Sequence, residues 1–259
     1  MKRYTLEVCV DSVESAEAAA RGGAHRLELC ADLVIGGTTP CQALYEKVRE
    51  AGVRTNVLIR PRCGDFLYTE HEFDMIARCV ERYRELGADG VVVGCLLADG
   101  SLDLERMKRL RELAGPMDMT LHRAFDMCRD PFEALEQAAE LGIGTILTSG
   151  QKSSCVEGQE LIAELVKRSG RVDIMPGGGV DAAVIRQMAS ATGAVSFHMS
   201  GKVVLDSGMQ YRREDVSMAG QAGDGSGTGE YQILRTSEKK VRQAKAVLEE
   251  LESSQLLMA

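Results

Sequence analysis

The chain contains no tryptophan, and aromatic residues make up only 4% of its 259 positions. That scarcity excludes the stacked aromatic platforms that hold single-stranded nucleic acid. Positive charge is in the minority. Thirty-one Lys and Arg against 39 Asp and Glu give a net charge of −8 and a pI near 5.2, which argues against a nucleic-acid or anionic-membrane surface. No apolar run approaches the roughly 18 residues of a membrane span. Met1-Lys2-Arg3-Tyr4 enters a strand pattern with no signal-peptide apolar stretch before it. The eight cysteines include no CxxC, which removes zinc ribbons and thioredoxin-type redox motifs. A chain able to bury a full core needs no disulfide staples. The expectation is a reduced, cytoplasmic protein with free thiols, no membrane and no nucleic acid.

What the sequence does have is alternation. Strand patterns fall at Leu6–Val10, Arg26–Cys30, Asn56–Arg60, Gly90–Gly94, Met117–His122, Thr145–Thr148, Val172–Met175 and Ala194–His198. Amphipathic helical patterns separate them, at Ser12–Arg21, Gln42–Ala51, Glu70–Leu86, Leu104–Ala114, Pro131–Leu141, Glu157–Arg168 and Asp181–Ala189. Gly22-Gly23, Gly87 and Gly142 stand where C-caps belong, and Asp130-Pro131 reads as an N-cap before a first-turn proline. Eight βα-like units spaced about 20 to 35 residues apart point to one domain, a closed (β/α)8 barrel of the TIM type. Gly201–Arg213 shows no clear period, and Gly220–Gly229 reads as a flexible linker. Glu238–Leu251 reads as the eighth outer helix reached through a long loop, with a free C-terminal tail as the alternative.

One short phrase, Glu-x-Cys, occurs twice, at Glu7-Val8-Cys9 and Glu28-Leu29-Cys30. Side chains alternate along a strand, so carboxylate and thiol share a face in each copy. Parallel neighbours about 4.8 Å apart would gather two thiols and two carboxylates, a site for a soft metal or for acid–base chemistry. Barrel active sites sit where strands end, and the reactive residues sort to that end. Cys9, Cys30, Cys63 and Cys95 fall at or just beyond the ends of strands one to four, and His122 and His198 end strands five and eight.

Arg60-Pro61-Arg62 ends strand three, placed to grip a carboxylate or phosphate or else to pair with Glu7 or Glu28. Gly177-Gly178-Gly179 after strand seven and Ser200-Gly201-Lys202 after strand eight can cradle an anion, with Ser149 as an added hydroxyl donor. Arg62, Ser149, Gly178, Gly179 and Ser200 are thus the anion candidates. Glu7, Glu28, Arg60, His122 and His198 are the candidates for catalytic chemistry.

Taken in order, these motifs resemble the CutC family. The matching phrases include Glu7-Val8-Cys9-Val10-Asp11-Ser12, Gly36-Gly37-Thr38-Thr39-Pro40, Ile59-Arg60-Pro61-Arg62, His122-Arg123-Ala124-Phe125-Asp126 and Met175-Pro176-Gly177-Gly178-Gly179. The resemblance runs from about Leu6 to Arg213. It implies a cytoplasmic TIM-barrel homo-oligomer in copper homeostasis, with Cu(I) bound by Cys9 and Cys30. Cu(I) prefers soft thiolates and tolerates few ligands. Cys41 and Cys63 stand where the family pattern has Ser and Gly. The alternative function is a TIM-barrel enzyme acting on a small anionic substrate, a phosphorylated one included, at the same mouth.

Overall fold

A computed structural model describes residues 4–213, 215–216 and 229–258. The glycine-rich stretch read as a linker therefore lies, except for Gly229, outside the described residues.

Eight short strands form one parallel sheet: β1 (Thr5–Val10), β2 (Arg26–Leu29), β3 (Arg54–Leu58), β4 (Gly90–Val93), β5 (Asp118–Leu121), β6 (Thr145–Thr148), β7 (Asp173–Pro176) and β8 (Ser196–Met199). They run in the order β7-β6-β5-β4-β3-β2-β1-β8, and β7 packs against β8 where the two ends of the sheet meet. This is the expected α/β barrel. Helices α1 (Val13–Arg21), α2 (Gln42–Val48), α3 (Glu70–Glu85), α4 (Leu104–Ala114), α5 (Pro131–Glu140), α6 (Gln159–Arg168) and α7 (Ala182–Thr192) follow strands β1 to β7 in turn.

Local chemistry sets the helix ends. Thr69 and Glu72 form a reciprocal capping box on α3, and Asp130 accepts two first-turn N–H groups of α5, with Pro131 needing none. Alternate strand residues such as Val8, Leu29, Val57 and Ile146 are fully buried in the core shared with the helices. Their neighbours in sequence fill the barrel, where Cys30, Leu58 and Val92 form a small apolar cluster of their own.

Two strands lie outside the barrel and in segments that carried no strand period. β9 (Lys202–Asp206) and β10 (Gln232–Thr236) form an antiparallel pair after β8. They lead into α8 (Glu238–Met258), which packs between α7 and α1 through buried Val241, Ala244 and Leu248. Among the described residues no helix is long and apolar enough to cross a membrane.

Candidate functional site

The strand ladders decide which side chains meet inside the barrel. β1 and β2 are parallel neighbours, and their register pairs Glu7 with Arg26, Cys9 with Glu28 and Val10 with Leu29. The second Glu-x-Cys copy is thus displaced along the strand direction by one interior step, as barrel shear requires. Cys9 stands level with Glu28, not with Cys30. Cys30 belongs to the apolar cluster with Leu58 and Val92, with Leu33 packed against it, and its thiol donates to the Val10 carbonyl at 3.4 Å.

Glu7 is fully buried, and its ion-pair partner is Arg26, not either arginine of the Arg60-Pro61-Arg62 segment. Its other oxygen lies 2.8 Å from Nδ1 of His198. The Cys9 thiol hydrogen-bonds to the same ring. Glu28 brings Oε2 to 3.9 Å from His198 Nδ1, too far for a hydrogen bond, and that oxygen is buried without a partner. Glu7, Glu28 and His198 each offer a donor atom within 4.8 Å of the others.

Burial and charge act against each other in this cluster. Burial pushes the Glu7 carboxyl up, but Arg26 and His198 outweigh it and hold it below its ordinary value. For Glu28 burial dominates and, with Glu7 nearby, lifts the carboxyl to about 7 against the pull of His198. His198 loses by burial, yet Cys9, Glu28 and Glu7 raise it well above a free imidazole. The Cys30 thiol is pushed far up by burial and then by Cys9 and Glu28.

A cavity of about 490 Å³ opens at the mouth of the barrel. Of the sequence candidates, Cys9, Glu28, Arg60, His122, His198, Gly178, Gly179 and Ser200 line it. Arg60 sits over the Phe66 ring at 5.3 Å, and Phe66 packs on His122 with ring centres 4.8 Å apart. Gly94 makes room for that imidazole, since a Cβ there would lie 2.6 Å from His122 Cε1.

The remaining candidates stand elsewhere. Arg62 braces its own loop, bonding Glu72 at 2.5 Å, Asp65 at 3.0 Å and nearby carbonyls. Ser149 is buried and committed to Asp126 and Arg123. Cys41 and Cys63 are exposed and outside the cavity wall. Glu7 lies behind the wall with Arg26.

The sequence reading did not assign Arg123, Asp126 or Phe66 to the wall, nor Arg26 to the interior. Arg26 was legible in principle, because it shares a strand face with Glu28. Arg123 and Asp126 sit in the short turn that continues β5. Asp126 there accepts from Arg123 Nε at 2.7 Å, Thr148 Oγ1 at 2.5 Å and the N–H groups of Ser149 and Gln151.

The sequence model of the CutC family matches residues 4–203. A CutC protein of Parabacteroides distasonis is 48% identical over 248 residues, covering 93% of this chain and 99% of the relative. The human copper homeostasis protein cutC homolog is 42% identical over 246 residues, 94% of this chain and 89% of that one. A crystal structure of a CutC protein from Streptococcus agalactiae superposes with a TM-score of 0.73 at 29% identity, covering 76% of this chain and 98% of that chain.

Proposed function

The chain belongs to the CutC family, and on that premise we propose that it serves copper homeostasis by taking up Cu(I) as cargo at Cys9 and Cys30, with His198 as a third donor. The observation that supports this reading is the approach of Cys9 to His198 in the cavity wall, with Cys30 one interior step away on the neighbouring strand, buried behind that wall. Cys9 bonds the His198 ring and lies near enough across the strand pair to raise the Cys30 thiol. Two thiolates and an imidazole form a donor set suited to Cu(I), which accepts low coordination numbers. Burial disfavours the free Cys30 thiolate, so uptake displaces a proton and binding strengthens as pH rises. Glu7, itself held by Arg26, fixes the His198 ring from behind.

A cytoplasmic homo-oligomer completes the reading. Eight unpaired cysteines suit a reducing compartment, and light scattering should return a mass above that of one chain. The decisive experiment is anaerobic chelator competition. Cys9→Ser/Cys30→Ser should fall from stoichiometric Cu(I) uptake to none, whereas undiminished uptake by the double variant removes the reading.

A second reading makes the mouth the active site of an enzyme on a small anionic substrate. It is favoured by Glu28, whose carboxyl is raised to about 7 and sits in the cavity wall beside His198. A carboxyl that titrates near neutrality is suited to passing a proton.

A further inference from the structure

Three polar groups of the cavity wall keep a buried atom with no partner: Arg60 Nε, His122 Nε2 and Glu28 Oε2. Their residues are only 9%, 4% and 6% exposed. Buried polar atoms are nearly always hydrogen-bonded, and an orphan has lost its hydration with nothing in return. Three orphans on one cavity are a demand for a ligand of complementary chemistry.

Two of them are donors. His122 Nδ1 accepts the Ala124 N–H at 3.1 Å, so the ring proton sits on Nε2 and Nε2–H is free to donate. Burial and the charge of Arg60 keep this ring neutral, with its pKa held down to about 3. Arg60 uses Nη1 on the Ile35 and Gly37 carbonyls and Nη2 on the Gly64 carbonyl, leaving Nε–H. No carboxylate pairs with Arg60 among the described residues, so a permanently charged guanidinium is buried there without a counter-ion. Phe66 touches both side chains and holds the two donors at one end of the cavity.

The third orphan, Glu28 Oε2, belongs to β2, beside His198. A ligand hydroxyl satisfies it in either protonation state, because a hydroxyl both donates and accepts. Nothing in the assignment therefore turns on how Glu28 titrates.

Charge selects among anions. Arg123, the other arginine of the wall, is already neutralised by Asp126 at 2.7 Å. The unpaired charge of Arg60 and the two N–H donors match the single charge and two oxygens of a carboxylate. A phosphate would bring a further oxygen and up to a second negative charge, beyond what the two orphaned donors match. Leu58 and Leu147 in the same wall leave the ligand small.

We propose that the cavity binds a small hydroxycarboxylate, its carboxylate held by Arg60 and His122 and its hydroxyl by Glu28. This specifies the ligand of the second reading above and is independent of copper.

Isothermal titration of chelator-treated, metal-free protein tests it, with glycerate and gluconate as probes. Glycerol, propionate, inorganic phosphate and glycerol phosphate are the comparison arms. Saturable binding of a hydroxy acid is expected, with glycerol and propionate each at least about ten-fold weaker. His122→Phe, which keeps the ring packed on Phe66, should weaken that binding by about ten- to hundred-fold. The comparison between probes needs no variant, so it stands even if His122→Phe fails to fold. Tighter binding of either phosphate overturns the hydroxycarboxylate assignment while leaving an anionic substrate in place. Absence of binding by every acid up to about 10 mM overturns both, as does equal binding of glycerol. Unchanged affinity in folded His122→Phe overturns the donor assignment on which the proposal stands.

Discussion

His122 and His198 are held in opposite states by surroundings within one barrel mouth. His122 is packed against Phe66 and faces the fixed charge of Arg60, so it stays neutral down to about 3. In the unfolded chain the same imidazole takes a proton near 6.5. Between those values the unfolded state binds the extra proton, so this residue's contribution to stability is lost as pH falls from about 6.5 toward 3. Glu7, held below its ordinary value, adds a loss of the same sign at more acid pH. His198 and Glu28 are raised, so their contributions run the other way and decline as pH rises. Comparison with a single variant separates the terms. Urea unfolding of His122→Phe should lose less stability between pH 7 and pH 5 than the wild type loses. An equal or steeper loss in the variant would contradict the neutral assignment of His122.

At the scale of elements, α8 is the test of how the barrel wall is finished. Val241, Ala244 and Leu248 are buried against α1 and α7, and a Cβ on Gly22 would lie 2.6 Å from Val241 Cβ. Leu248→Ala should therefore cost about 2–5 kcal/mol in chemical unfolding; a cost near zero would mean the helix does not seal the core in solution.

The eight barrel strands and seven of the outer helices were legible in the sequence because period, caps and glycines agreed with one another at each boundary. Pro131 after Asp130 and the Thr69–Glu72 box are examples. β9 and β10 were not legible, because their residues are mostly exposed on both faces and no burial imposes a two-residue period. The site was half legible. Strand ends placed Cys9, Glu28, Arg60, His122 and His198 correctly on the mouth side, but the stagger between β1 and β2 is a property of the closing barrel and not of either strand. That stagger puts Cys9 level with Glu28 and gives Glu7 to Arg26. Arg62 looked equivalent to Arg60 two positions earlier, yet it is consumed by Glu72 and Asp65.

Across the whole molecule, one cavity has two chemically distinct walls. Strands β1, β2 and β8 bring sulfur, carboxylate and imidazole together, while β3, β5 and the loops beyond them bring Arg60, Phe66 and His122. The first wall suits a soft cation, and the second suits the carboxylate of a small acid. The two proposals make separate demands on the same protein, one tested with copper and no acid, the other with acid and no metal.

X-ray absorption at the copper edge of anaerobically loaded, full-length protein tests the central assignment most directly. Two sulfur scatterers with one imidazole are expected in the wild type, and no sulfur in any copper retained by Cys9→Ser/Cys30→Ser. A shell of nitrogen and oxygen alone in the wild type would contradict the copper assignment to Cys9 and Cys30.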